Sequence, residues 1–149
     1  MAQKIESFRD LIAWQKSMDL VDAIYTLTRA FPRQEMFGLV SQMQRAAVSV
    51  PSNLAEGYAR RRTGDYIRFV DVSRGSLAEL QTQAIISKRQ GYITQADLDK
   101  LWPMLDEAAR ILYGLSEALQ RKTAVRLVSF IGLACAVPVL LRYLFPLIC

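Results

Sequence analysis

The residues of this chain best placed to do chemistry are hydrogen-bonding and cationic groups. Gln42, Arg45, Ser49, Asn53, Glu56 and Arg60 recur every three or four residues. In a helix that spacing lines them along one face. Leu39, Met43, Val50, Leu54 and Tyr58 fill the neighbouring arc, so one helix carries an apolar face beside a dense polar stripe. The stripe has two readings. It can form an internal network, with Arg45 and Glu56 joined through Ser49 and Asn53 or across to Glu79 and Arg74, which would fix the register between helices or subunits. Otherwise it faces a ligand. A second set, Arg60, Arg61, Arg62, Arg68, Arg74, Lys88 and Arg89, suits phosphate, because guanidinium forks match phosphate oxygens and repetition in an oligomer multiplies a modest patch. Tyr58, Tyr66 and Phe69 could stack on bases beside these arginines, although Phe69 also has the position of a core residue.

Other chemistries are disfavoured by what the chain lacks. It contains no histidine, and its two cysteines, Cys135 and Cys149, both lie near the end. Ser-His-Asp and Cys-His catalysis are thereby excluded, as is a zinc-thiolate cluster in the body. The pairs Asp97 with Asp99 and Asp106 with Glu107 are spaced as helix-start and surface residues. There is no glycine-rich phosphate loop, no Glu-x-x-His motif for a di-iron bundle, and no helix-turn-helix, zinc-finger or basic-zipper pattern. A non-enzyme without metal or cofactor is expected, and any nucleic-acid contact should follow charge and shape rather than base sequence.

With 149 residues, 52% hydrophobic and 22% charged, the chain fits one domain with a sizeable core. Net charge is +5, and leaving out Arg126 and Arg142 gives +3 for residues 1–122. That total suits an anionic polymer, an anionic lipid or an ordinary solvated surface equally. The first ten residues are polar and have no signal-peptide pattern. A cytoplasmic body is expected, and the body cysteine count agrees with a reducing compartment.

The elements that position these groups are all helical. Leu11, Trp14, Met18, Val21, Ile24, Tyr25 and Thr28 mark a first amphipathic helix with Asp10 as its N-cap, ended by Phe31-Pro32. A second helix is predicted from Glu35 to Ala59, with Pro51 inside it removing a backbone hydrogen bond and kinking the helix near Ala47; Ser49, Ser52 and Asn53 are placed to satisfy freed carbonyls. Arg60–Asp65 reads as a basic turn capped by Thr63 or Asp65. A third helix, Asp65 to Lys88, carries Val70, Leu77, Leu80 and Ala84; Gly75-Ser76 within it suggests close approach of another helix, since an interior glycine costs about 1 kcal/mol. After Gly91-Tyr-Ile-Thr94, a Thr94/Asp97 cap opens a fourth helix through Leu98, Leu101, Leu105, Leu112 and Leu119. Short connections predict an all-α, antiparallel up-down four-helix bundle.

Phe8-Arg-Asp-Leu11, Trp14-Gln-Lys16, Tyr25, Phe31-Pro32, Glu35, Gly38-Leu39, Ser41-Gln42, Arg45-Ala46, Ser49-Val-Pro51, Asn53-Leu-Ala-Glu-Gly57 and Gly75-Ser-Leu-Ala-Glu-Leu80 stand in order along residues 5–120. In this combination the chain resembles the four-helix-bundle proteins encoded by intervening sequences of large-subunit ribosomal RNA genes. The resemblance implies a cyclic homo-oligomer, typically a pentamer. It also implies kinship with accessory variability proteins of diversity-generating retroelements, and hence RNA or DNA and a reverse transcriptase as possible partners.

Residues 123–149 lie beyond that pattern as a hydrophobic tail after a 1–122 bundle. From Leu127 to Leu141 the tail holds fifteen residues without a charge, short of the roughly 20 a spanning helix needs; reaching Cys149 includes Arg142, Pro138 and Pro146. Three readings stand: membrane association through 127–149 behind the cations Arg121, Lys122 and Arg126, burial in a partner or ring interface, and a frame-altered end. The main functional expectation is a binding or scaffold oligomer touching RNA or DNA through arginines. Its rival is a membrane-anchored structural oligomer with no nucleic-acid role.

Overall fold

Helix formation starts where side chains can satisfy the orphan amides of a first turn. In the computed structural model, which describes residues 5–60 and 62–144 with side chains through residue 124, this happens first at Ser7. The Ser7 hydroxyl accepts from the Arg9 amide, and the Asp10 carboxylate accepts from the Ser7 amide at 2.8 Å. Asp10 thus closes a 3-10 turn, Phe8–Asp10, instead of capping the long helix that follows; α1 runs Ile12–Thr28 behind Leu11, with no side-chain cap.

The second helix also begins later than the periodicity suggests. Arg33–Phe37 forms a 3-10 turn, and α2 spans Leu39–Ala59. Glu35 is outside the helix, and its carboxylate accepts the Leu39 amide at 2.9 Å and the Tyr92 hydroxyl, also at 2.9 Å. This remote cap consumes the residue that the sequence pattern assigns to the first turn. Pro51 lies buried within α2. On either side of it, the Ser52 hydroxyl donates to the Val48 carbonyl at 2.8 Å and the Asn53 amide to the Ser49 carbonyl at 2.7 Å.

The third helix, α3, spans Thr63–Arg89 behind Arg62, so neither Thr63 nor Asp65 caps it. At the fourth, Thr94 and Asp97 form the expected reciprocal pair: Asp97 accepts from the Thr94 amide at 2.9 Å, and the Thr94 hydroxyl accepts from the Asp97 amide at 3.1 Å. Hydrogen bonds from Thr94, the side-chain one first, hold the Asp97 carboxyl below its ordinary range. Helix α4 runs Gln95–Leu144. Among the described residues there is no strand.

Each helix packs on the two beside it, in the order α1, α2, α3, α4 and back to α1. Cross-contacts fix the directions. Met43 meets Ser87, and Ser73 donates to the Val50 carbonyl at 3.0 Å, so α2 and α3 are antiparallel. Lys16 pairs with Glu107 on α4, while Ala23 and Leu27 share a groove with Leu101 and Met104 further toward the α4 start. The interior is apolar and tightly filled, with Leu20, Ile24, Met43, Val50, Leu54, Val70, Leu80, Leu105 and Leu112 fully buried. At two glycines the packing runs against expectation. A Cβ on Gly75 would meet nothing within 4 Å, whereas one on Gly57 would lie 2.7 Å from Tyr66 Cδ2 and 2.8 Å from Phe69 Cβ. The close helix approach is therefore at Gly57, where α2 meets α3.

Among the described residues no helix is long and apolar enough to cross a membrane. The tail side chains from residue 125 onward, on which the membrane, interface and frame readings depend, lie outside the described residues, as does Arg61.

Candidate nucleic-acid interface

The polar stripe of α2 lies at the surface of the bundle. Gln42, Arg45 and Glu56 are exposed, as is Glu79 on α3, while Ser49 and Asn53 are half-buried at the α2/α3 seam. The half-buried members form a continuous chain. Asn53 donates to Ser49 Oγ at 3.0 Å, Ser49 and Ser76 share a 2.8 Å bond, and Ser76 donates to the Val72 carbonyl at 3.1 Å. The charged members do not join it. Arg45 and Glu56 are eleven positions apart on α2, about 16 Å along the axis, and Glu56 instead pairs with Arg60 one turn away. Arg74 takes Asp71 at 3.2 Å in place of Glu79, which accepts from Gln83 at 2.9 Å. Arg45 is left without an ion pair among the described residues. It lines an open groove of about 660 Å³ with Tyr25, Met36, Ser49 and Phe37, the last 92% exposed.

The cations divide by position. α3 is 27 residues long, about 40 Å at 1.5 Å per residue, so Arg62 and the Lys88-Arg89 pair stand at opposite ends of the bundle. Arg74 sits midway, with its guanidinium 5.6 Å from the centre of the Tyr113 ring. The set is therefore not one patch. At the end where α2 finishes and α3 begins, however, the antiparallel fold adds cations that sequence spacing did not link to it. Arg9 precedes α1, and its turn packs on α2. Arg121 and Lys122 arrive on α4, because the Arg74–Tyr113 contact brings the α3 start opposite that part of α4. Arg9, Arg60, Arg62, Arg68, Arg121 and Lys122 all have exposed side chains. Arg60 is held by Glu56 and Arg121 by Glu117 at 3.6 Å, while Arg9, Arg62, Arg68 and Lys122 make no ion pair among the described residues.

The aromatic residues beside the basic turn are committed to packing. The Tyr58 and Tyr66 rings meet edge-on at 6.3 Å, Gly57 presses on Tyr66 and Phe69, and the Arg60 guanidinium covers Phe69 at 5.1 Å. Burial, and then proximity to Tyr58, pushes the Tyr66 phenol up to about 12, and its buried hydroxyl has no hydrogen-bond partner among the described residues. Tyr113, 56% exposed, combines an aromatic ring open to solvent with an arginine lying over it. The 39-residue gap between Arg74 and Tyr113 in the sequence hides that pairing; only the α3/α4 register brings it out.

Charge is also sorted across the bundle. Residues 39–89, spanning α2 and α3, contain eight cations and four anions. Residues 12–28 and 95–122, covering α1 and the part of α4 that ends with Arg121 and Lys122, contain five cations and seven anions. The α2/α3 half is thus cationic and the α1/α4 half weakly anionic.

A family profile described as 23S rRNA-intervening sequence protein matches residues 9–114. Among solved structures, the chain is similar to a protein of unknown function from the S23 ribosomal protein family of Bacteroides thetaiotaomicron. The TM-score is 0.66 at 19% identity, covering 70% of this chain and 98% of that one. That likeness bears on the fold. No curated protein matches the chain.

Proposed function

We propose that this chain, which belongs to the 23S rRNA-intervening sequence protein family, is a non-catalytic, homo-oligomeric binding protein that holds RNA or DNA against the cationic end of its bundle. The observation that carries this reading is the gathering of Arg9, Arg60, Arg62, Arg68, Arg121 and Lys122 at one end of the bundle from four separate stretches of sequence. Arginine clusters of this kind bind phosphate in ways that depend on charge rather than on base identity. Repetition around a ring would multiply contacts that are individually weak.

The test is the mass of the full chain by light scattering, with and without a mixed-sequence oligonucleotide at low salt. The reading expects an oligomer that gains the mass of bound oligonucleotide. An oligomer that ignores it would leave scaffolding alone, and a monomer would remove the multivalent basis of the proposal.

A further inference from the structure

Between α3 and α4 runs an open groove of about 810 Å³, lined by Arg74, Gly75, Gln81, Arg110, Tyr113 and Gln120. Its features are those of a strand-binding track. Tyr113 offers a half-exposed ring, and Arg74 lies against that ring while its guanidinium also reaches Asp71 at 3.2 Å. Arg110 is exposed and makes no ion pair among the described residues. Two guanidinium groups against one carboxylate leave the groove cationic. Gln81 and Gln120 bring amide donors and acceptors that can meet base edges. Gly75, with nothing within 4 Å of where a Cβ would stand, keeps the α3 wall low. Stacking on the half-exposed Tyr113 ring needs a base that is free of the duplex stack, so the groove suits a single strand rather than a duplex.

The groove also leads somewhere. Arg68 precedes Gly75 by seven residues, close to two helical turns and hence on the same face of α3. It links the groove to the cationic end of the bundle. We propose that this groove is a binding track for single-stranded nucleic acid, with Tyr113 as the base-stacking platform and Arg74 and Arg110 as its cationic flanks. The inference rests on the nucleic-acid reading above and adds strand type and a second set of residues to it.

The experiment measures fluorescence anisotropy of the full chain with a labelled mixed-sequence single-stranded oligonucleotide and with the matching duplex. The variants are Tyr113→Ala, Tyr113→Phe and the double change Arg60→Ala with Arg62→Ala. Tyr113→Ala should weaken single-strand binding about 5- to 150-fold, the range given by losing one base stack, and leave duplex binding unchanged. Tyr113→Phe should retain it, and the double arginine variant should weaken both ligands. Single-strand binding untouched by Tyr113→Ala, or lost equally for both ligands, would overturn the track. Loss with the arginine variant alone would sink the track and keep the wider reading; a parent chain that binds neither ligand would sink both.

Discussion

Two interior glycines of this bundle should respond to the same substitution with opposite signs. Replacing glycine by alanine in a helix gains about 1 kcal/mol when the new methyl meets nothing. Gly75 satisfies that condition, with no atom within 4 Å of where the methyl would stand, so Gly75→Ala should stabilise by about that amount. At Gly57 the methyl would stand 2.7 Å from Tyr66 Cδ2 and 2.8 Å from Phe69 Cβ, whereas carbon atoms rest at about 3.5–4.0 Å. The Tyr66 ring can turn aside, but Phe69 Cβ is fixed to the α3 backbone. Relief therefore requires α3 to retreat from α2 by about 1 Å, loosening contacts of the buried Val50, Leu54 and Val70. Overpacking of this kind costs about 1–3 kcal/mol, which offsets the helix gain and leaves a net loss of up to about 2 kcal/mol. The two variants should thus differ by about 1–3 kcal/mol, or about 4–12 °C in Tm for a domain of this size. Urea and thermal melts by far-UV circular dichroism at one protein concentration give the comparison. Gly57→Ala as stabilising as Gly75→Ala would refute the close α2/α3 crossing, and destabilisation by Gly75→Ala would refute the openness of the α3/α4 groove.

The remaining predictions concern single groups. Met43→Ala, at a fully buried position touching Ser87, should cost about 2–5 kcal/mol in urea unfolding. Tyr66→Phe removes a buried hydroxyl without a partner among the described residues and should be neutral or stabilising. Because burial raises the Tyr66 pKa to about 12 from the ordinary 10.0, its share of stability is present below pH 10 and is lost as pH rises toward 12. Alkaline melts should therefore show the parent losing stability faster than Tyr66→Phe across that window. Thr94→Ala should lower stability by about 1 kcal/mol through loss of the α4 cap. Since the Thr94 bonds lower the Asp97 pKa, the advantage of the parent over Thr94→Ala should be present above the unfolded carboxyl pKa and shrink as pH falls through the folded one.

Long-range periodicity made most of this bundle legible. Val50, Leu54, Val70, Leu80, Leu105 and Leu112 recur at helical spacing, and all are fully buried. Local hydrogen bonding was harder to read. Asp10 and Glu35 both precede apolar runs, yet one closes a 3-10 turn and the other caps α2 from outside, because a short carboxylate competes for whichever amides come within reach. The Thr94/Asp97 pair was readable because both partners lie within one turn. The site was legible only in part. Adjacent arginines at 60–62 announce themselves, but Arg9, Arg121 and Lys122 join them through antiparallel packing, and Lys88 and Arg89 are carried to the far end by the length of α3. The α2 stripe looked like an internal network since its spacing is regular, but spacing gives a face and not its depth; Ser49 and Asn53 sit in the seam while Arg45 and Glu56 stand in solvent. Gly75 suggested close packing that Gly57 provides, and no local feature distinguishes the two.

Phosphate binding at the cationic end of the bundle is tested most directly by the salt dependence of oligonucleotide affinity, for the full chain and for the double variant Arg60→Ala with Arg62→Ala. Each single-strand phosphate contact contributes about 0.7 to the slope of log affinity against log salt. If this end of the bundle holds phosphate, the parent should show a steep slope and the double variant a slope lower by about 1.4. Equal slopes, or affinity that salt does not change, would contradict nucleic-acid binding through these arginines.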